Sequence, residues 1–144
     1  MIAGPEDPRI IAEVQPRRGS KPVCSGCGKR SAGYDHMPTP RQFEFIAMFN
    51  IPVFLEYTMR RVDCPDCGVK VERVPWADGK HTCCNVFRHF LATWAKRISW
   101  KETAECFHVK WDTVRRSVEW VVAYGLENRS LEGIEALGVD EVAY

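Results

Sequence analysis

Apolar side chains recur at two different periods along the chain, and the change of period separates two kinds of predicted structure. In residues 51–62, every second side chain is predicted to face inward, which is the period of a strand with one buried side. Shorter β-rich runs lie at residues 43–46 and 69–74. The alternating inward residues are Val53, Leu55, Tyr57 and Met59. We therefore predict antiparallel strands in the first part of the chain, with one strand leading into Cys64.

Past a turn-rich linker at residues 75–80, the period becomes about 3.6 residues, which is typical of an α-helix. One apolar face then predicts a first helix over residues 85–97. Ser99 and Glu102 have the spacing of a capping box, so a short second helix is expected to begin there. The second part of the chain is therefore predicted to be helical.

A third helix is predicted from Trp111 to Tyr124, where apolar residues recur at three- and four-residue steps. A short helix, a brief turn and a longer helix, supported by a first helix, make a helix-turn-helix pattern. The face opposite the apolar stripe would read bases, with Arg116 contacting the O6 and N7 acceptors of guanine. Lys101, Lys110 and Arg115 suit phosphate oxygens. The candidate DNA-contacting residues are Lys101, Lys110, Thr113, Arg115, Arg116 and Ser117. A plain three-helix bundle with solvated charges is the alternative, and Trp120 on this face hints at a protein contact.

Two copies of the pattern Cys-x-x-Cys-Gly predict a metal site. The candidate ligands are Cys24, Cys27, Cys64 and Cys67. Four thiolates complete a tetrahedral Zn²⁺ shell and leave no position for water, so the site is expected to be structural. Two disulfides or four free thiols are the alternative. Cysteine knuckles joined by antiparallel strands form a zinc ribbon, whose small core depends on its metal.

The cysteine usage indicates the cellular compartment of the protein, whereas the net charge alone does not identify its binding partner. The formal net charge is +1, but residues 85–124 carry seven Lys or Arg against four Asp or Glu, and residues 125–144 carry one against five. The cysteine count is seven, an odd number, and we identify no signal peptide. No apolar run reaches the ~20 residues of a membrane helix. We expect a cytoplasmic protein with no membrane partner.

The patterns together predict an α+β chain with four segments. These are a flexible N-terminal arm (1–22), a zinc ribbon with its linker (23–84), a helix-turn-helix module (85–125) and the start of a truncated further domain (126–144). In the last segment, Asp140 lies in a run that is typical of a buried strand. A carboxylate among apolar neighbours is costly unless it is paired or bound to a metal, so Asp140 is a metal-ligand candidate.

From about residue 22 to residue 144, the chain resembles the N-terminal part of the ISL3 family of bacterial insertion-sequence transposases. The resemblance is carried by the two cysteine motifs, the Val-Pro-Trp-Ala-Asp-Gly-Lys linker at 74–80, the helical segments at 94–102 and 111–114, and Leu-Gly-Val-Asp-Glu at 137–141. It implies a DDE-type enzyme with an RNase H-like α/β domain, in which three carboxylates hold two Mg²⁺ ions. Asp140 matches the first carboxylate, and the other two have no counterpart here. We therefore expect no DNA cleavage or strand transfer from this chain alone.

The function implied by the resemblance is recognition of double-stranded DNA at the terminal inverted repeats of an insertion sequence, in association with the bacterial nucleoid. The oligomeric state stays open, with a homo-oligomer as one candidate. Two alternative functions also stay open: a fragment that completes a catalytic chain encoded elsewhere, and a stand-alone regulator built from a zinc ribbon and a helix-turn-helix.

Overall fold

The computed structural model describes residues 8–130 and 132–133, and within them it has an α+β fold of six strands and three helices. The strands are β1 (Ile10–Glu13), β2 (Ala32–His36), β3 (Arg41–Met48), β4 (Ile51–Tyr57), β5 (Arg60–Cys64) and β6 (Gly68–Val71). The helices are α1 (Asn85–Trp94), α2 (Trp100–Cys106) and α3 (Trp111–Glu127). The predicted start of an RNase H-like domain, including Asp140, lies outside the described residues apart from its first few positions.

The strands form two three-stranded sheets, with the orders β1-β4-β3 and β2-β5-β6. The run over residues 51–62 was predicted as one strand, and this is wrong: the chain leaves the first sheet after Tyr57 and enters the second at Arg60. Burial alternates as far as Met59 and then changes phase, because Val62 is buried and Arg61 is not. This change of phase accompanies the break, but it does not show that the chain enters another sheet.

Part of the N-terminal segment, which the sequence predicted to be a flexible arm, forms strand β1. Strand β1 pairs in parallel with β4, and Ile10 lies opposite Val53. Ile10 and Ile11 remain 39% and 44% exposed, so backbone pairing and not side-chain burial fixes this strand. Apolar periodicity reports burial, and for that reason it gave no signal here.

The linker joins the first sheet to the helices through continuous contacts. The Trp76 ring packs edge-to-face against Phe43 and Tyr57. Its centroid lies 6.1 Å from the Phe43 centroid and 5.3 Å from the Tyr57 centroid. The Glu44 N–H donates to the Thr82 carbonyl at 2.7 Å, so the linker also extends along β3. The boundary that the sequence placed at residue 84 is crossed by the Asn85 N–H, which donates to the Trp76 carbonyl at 2.7 Å.

Two adjacent cysteines lie at the junction of two apolar clusters. Cys84 is buried with Phe43, Tyr57 and other residues of the first sheet and linker. Cys83 is buried with Phe87 and Leu91 of α1. Their thiols are packing groups, as the sequence predicted, and the neighbouring backbone connects the sheet with the helices.

The three helices follow the predicted order with shifted ends. Helix α1 ends earlier than expected, at Trp94, and α3 extends beyond Tyr124 to Glu127. The capping box of α2 is present, since the Ser99 side chain accepts from the Glu102 N–H and the Glu102 side chain accepts from the Ser99 N–H. Among the described helices, none combines the length and the apolar character required to cross a lipid bilayer.

Candidate metal centre and nucleic-acid interface

The four cysteines of the two repeated motifs come together beside the β5–β6 hairpin. Their sulfur atoms all lie within 4.8 Å of one another, and the Sγ atoms of Cys27 and Cys64 are 3.5 Å apart. Four thiolates around Zn²⁺ with bonds of about 2.3 Å would have sulfurs ~3.8 Å apart, so only small shifts of the sulfurs are needed. All seven cysteines of the chain are free thiols. The disulfide alternative is therefore not realised, and the donor set fits zinc.

Three glycines allow the two knuckles to approach each other. Gly28 and Gly68, which follow the two cysteine pairs, have φ angles of 74° and 71°, in the left-handed region that favours glycine. Gly26 is close to the opposite knuckle, because a Cβ at this position would lie 2.9 Å from the Cys67 sulfur. The sequence motif predicted the role of the first two glycines but missed that of Gly26.

The electrostatic environment of the knuckles favours a cation. Burial raises the pKa of the Cys64 thiol, but hydrogen bonds from the backbone N–H groups of Asp66 and Cys67 outweigh it, and the pKa falls to about 6. Hydrogen bonding to Cys27, together with burial, raises the pKa of Cys67 to about 12. The thiols thus compete for negative charge, and a divalent ion would let all four ionise.

The predicted phosphate-binding lysines are accessible. Lys101 is on the surface of α2, and its Nζ lies 3.9 Å from the Glu105 carboxylate, which is a loose and exposed pair. Lys110 is also exposed and occupies the N-cap of α3 without a side-chain cap, as the sequence predicted. Both lysines are placed where a phosphate could reach them.

The two predicted arginines of α3 are held by one carboxylate. Arg115 and Arg116 each contact Asp112, at 2.8 and 2.7 Å, and Arg115 also contacts Glu119 at 2.5 Å. Hydrogen bonding from Arg115 keeps the pKa of Asp112 below its usual value, even though partial desolvation opposes this. The sequence did not predict that Asp112 would hold both guanidinium groups.

The remaining two candidates on α3 are less accessible. Thr113 is half-buried, and its carbonyl accepts a hydrogen bond from the Ser117 hydroxyl at 2.7 Å. Ser117 is only 1% exposed. The expectation that Ser117 contacts DNA does not fit this placement, because α3 packs against both α1 and α2 and thereby buries more than the single apolar stripe.

Trp120 is occupied by a contact within the chain. The Arg88 guanidinium carbon of α1 lies 4.4 Å from the centre of a Trp120 ring, and Arg88 itself is only 4% exposed. Burial lowers the pKa of Arg88, although Asp78 at 3.8 Å partly compensates. The Trp120 indole, which the sequence placed on a polar face, therefore stacks on the buried Arg88 within the chain.

Comparison with known proteins supports a zinc site at the four cysteines and relates the chain to transposases. Residues 20–67 match the family described as the zinc-finger of transposase IS204/IS1001/IS1096/IS1165. Two relatives from Mycobacterium tuberculosis, in strains CDC 1551 / Oshkosh and H37Rv, are each called transposase for insertion sequence element IS1557. Each is 32% identical over 138 residues, which cover 94% of this chain and 31% of the relative. The chain thus spans about a third of the length of these curated relatives.

No solved structure matches the chain significantly. The family match and the cluster of four cysteines together support a structural zinc ion at Cys24, Cys27, Cys64 and Cys67.

Proposed function

Because the chain corresponds to the N-terminal portion of an ISL3-type transposase, we propose that it binds duplex DNA at the terminal inverted repeats of an insertion sequence. One observation carries this proposal: the similarity to a transposase extends over 94% of the chain, and so includes both the cysteine cluster and the three helices. Cleavage and strand transfer would require the two further carboxylates of a complete catalytic domain, together with Mg²⁺.

In this proposal, α2 and α3 act as the helix-turn-helix. His108, with a φ of 53°, lies in the turn that separates the two helices. The side chain of Arg116 is 59% exposed near the start of α3, where a recognition helix carries its base-reading groups. Lys101 and Lys110 would contact phosphates, which fix the orientation without reading sequence. Thr113 and Arg115 would lie at the edge of the contact.

DNA binding in this mode requires the α3 arginines to exchange partners. Asp112 holds both guanidinium groups in the free chain. Guanine acceptors and phosphates would replace its carboxylate, and such exposed ion pairs are weak enough to be exchanged. Asp112 is therefore expected to restrain binding and not to support it.

The zinc ion would hold the two cysteine knuckles together at the β5–β6 hairpin. Its four sulfur ligands leave no open position, so it would have a structural role only. We propose that the ribbon and linker (23–84) and the helix-turn-helix (85–125) act as two DNA-contacting units ahead of an RNase H-like domain beginning at 126–144. Asp140 would be a catalytic carboxylate only in that complete domain.

The proposal is tested by fluorescence anisotropy with a labelled terminal-repeat duplex and a shuffled duplex of the same composition. Arg116→Ala should reduce the preference for the repeat by roughly tenfold to a hundredfold, because it removes a base contact. Lys101→Ala should weaken binding to both duplexes about equally. Equal losses for the two variants on both duplexes would count against the assignment of the reading face.

A further inference from the structure

A second basic surface lies on the zinc ribbon, away from α2 and α3. A cavity of about 290 Å³ separates the segment around residues 14–21 from the ribbon and the linker. Its basic lining residues are Arg17, Lys21, Arg30, Arg60 and Arg73, and its one acidic lining residue is Glu72. Five cationic side chains therefore meet around one small space.

The backbone on each side of this cavity is anchored. The Ser20 N–H donates to the Arg17 carbonyl at 2.9 Å, which closes a turn in the N-terminal segment. The Arg60 guanidinium donates to the Ser20 carbonyl at 2.9 Å and ties that turn to β5. On the other side, the Arg73 N–H donates to the Val23 carbonyl at 2.8 Å, and Val23 is bridged to Arg30. The cluster of charges is thus built into the fold and is not a feature of a loose tail.

Among the residues that the structure describes, only one of the five cations has an anionic partner. Glu72 is taken up by Arg60, with an oxygen 2.7 Å from a guanidinium nitrogen. The other four make no ion pair with any described residue, and all are exposed. They are Arg17, Lys21, Arg30 and Arg73. Their unpaired state contrasts with that of Arg115 and Arg116 on α3, which share Asp112.

We propose that this cavity binds the phosphodiester backbone of duplex DNA, as a contact separate from the helix-turn-helix. The inference rests on the proposed function in taking DNA as the partner. Duplex DNA presents one negative charge per ~1.7 Å of helix axis, so neighbouring phosphates can engage several of these cations together. A contact of this kind carries no sequence information and fixes the orientation of the ribbon on the duplex.

The test measures binding to a random-sequence 30-base-pair duplex over a series of salt concentrations. Arg30→Gln with Arg73→Gln is compared with a control pair, Arg9→Gln with Lys80→Gln, which removes the same charge from exposed positions outside the cavity lining. We expect the slope of log affinity against log salt to fall by about two for the cavity pair, since each phosphate contact contributes ~0.9. The control pair should leave the slope unchanged.

A second variant, Arg17→Gln with Lys21→Gln, tests the N-terminal side of the cavity and should lower the slope in the same way. Equal slopes for the cavity and control pairs, in chains with full zinc content and native circular dichroism, would overturn this inference alone. If the unmodified chain showed no salt-dependent binding to any duplex, both this inference and the proposed function would fall.

Discussion

Glu72 connects the two sheets, and its replacement gives the sharpest test of how the ribbon is held together. Its carboxylate accepts from the Tyr57 hydroxyl at 2.7 Å, at the end of β4, and from the Arg60 N–H at 2.8 Å, at the start of β5. The Arg60 side chain donates to the second carboxylate oxygen at 2.7 and 3.0 Å. The side chain of Glu72 is only 3% exposed and that of Arg60 15%, so water competes little for this pair.

Glu72→Ala would leave the Arg60 guanidinium and the Tyr57 hydroxyl without their partner in a largely buried position. Breaking a buried pair by removing one member typically destabilises a protein by about 3–5 kcal/mol. Because small domains are stable by only about 5–15 kcal/mol, this loss would be a large part of the total. Glu72→Gln keeps the shape of the side chain and one hydrogen-bond acceptor. We expect its free energy of unfolding to lie between those of the wild type and Glu72→Ala.

The assay is urea unfolding at saturating zinc, followed by circular dichroism, with Glu56→Ala as the control. Glu56 accepts a hydrogen bond from Gln42 at the surface, and its loss should hardly move the midpoint. A double-mutant cycle with Arg60→Ala should give a coupling of about 1–3 kcal/mol, because both residues belong to one network. A loss below about 1 kcal/mol for Glu72→Ala, or additive effects in the cycle, would refute this reasoning.

Gly26→Ala should weaken zinc binding, because the new Cβ would lie 2.9 Å from a sulfur of the other knuckle. Gly33→Ala should not weaken it, because a Cβ there would have no heavy atom within 4 Å. Competition with a chromogenic chelator measures the zinc affinity of both variants. Asp112→Asn should raise the affinity for any duplex severalfold in anisotropy titrations, because it frees two arginines and removes a negative charge. Glu127→Gln makes the same charge change at the far end of α3, and an equal gain there would indicate a general charge effect. Burial, followed by the contact with Glu72, raises the pKa of the Tyr57 hydroxyl to about 12. As the pH rises, the unfolded chain therefore loses the hydroxyl proton before the folded chain does. Stability should therefore fall between pH 10 and 12, and less so in Tyr57→Phe; an identical loss in both would exclude this cause.

The cysteine cluster was predictable because the knuckle is a local structure. Each Cys-x-x-Cys-Gly motif fixes its own turn, and two such motifs supply the four thiolates of one tetrahedral zinc shell. The close approach of Gly26 to Cys67 depends on how the two knuckles dock. A contact of that kind between distant segments leaves no signature in the spacing.

The break after Tyr57 and the strand β1 were not predictable for a related reason. Both depend on pairing between distant segments: β5 pairs with β2 and β6, and β1 pairs with β4. Periodicity along the chain records which side chains are buried but does not record which sheet buries them. The sequence therefore predicted that this part of the chain forms strands, but it did not predict how those strands pair.

The face of α3 was predicted only in part, because this helix has two helical neighbours. Of the apolar stripe over Trp111, Val114, Val118 and Val121, only Val114 is buried, and Trp111 is 49% exposed. Polar side chains fill the rest of the contact, since Ser117 is buried and Arg88 stacks on Trp120. A polar residue on an inner surface looks the same in the sequence as one that faces solvent, so the burial of Ser117 was not predictable.

The central claim is that this chain is a zinc-dependent, DNA-binding portion of a transposase. The most direct measurement is an equilibrium titration of the zinc-loaded chain against a terminal-repeat duplex and a shuffled duplex at one physiological salt concentration. We predict a preference for the repeat of at least roughly tenfold, which should be lost when a chelator removes the metal. Equal affinities for the two duplexes, or binding that is unchanged by chelation, would contradict the account.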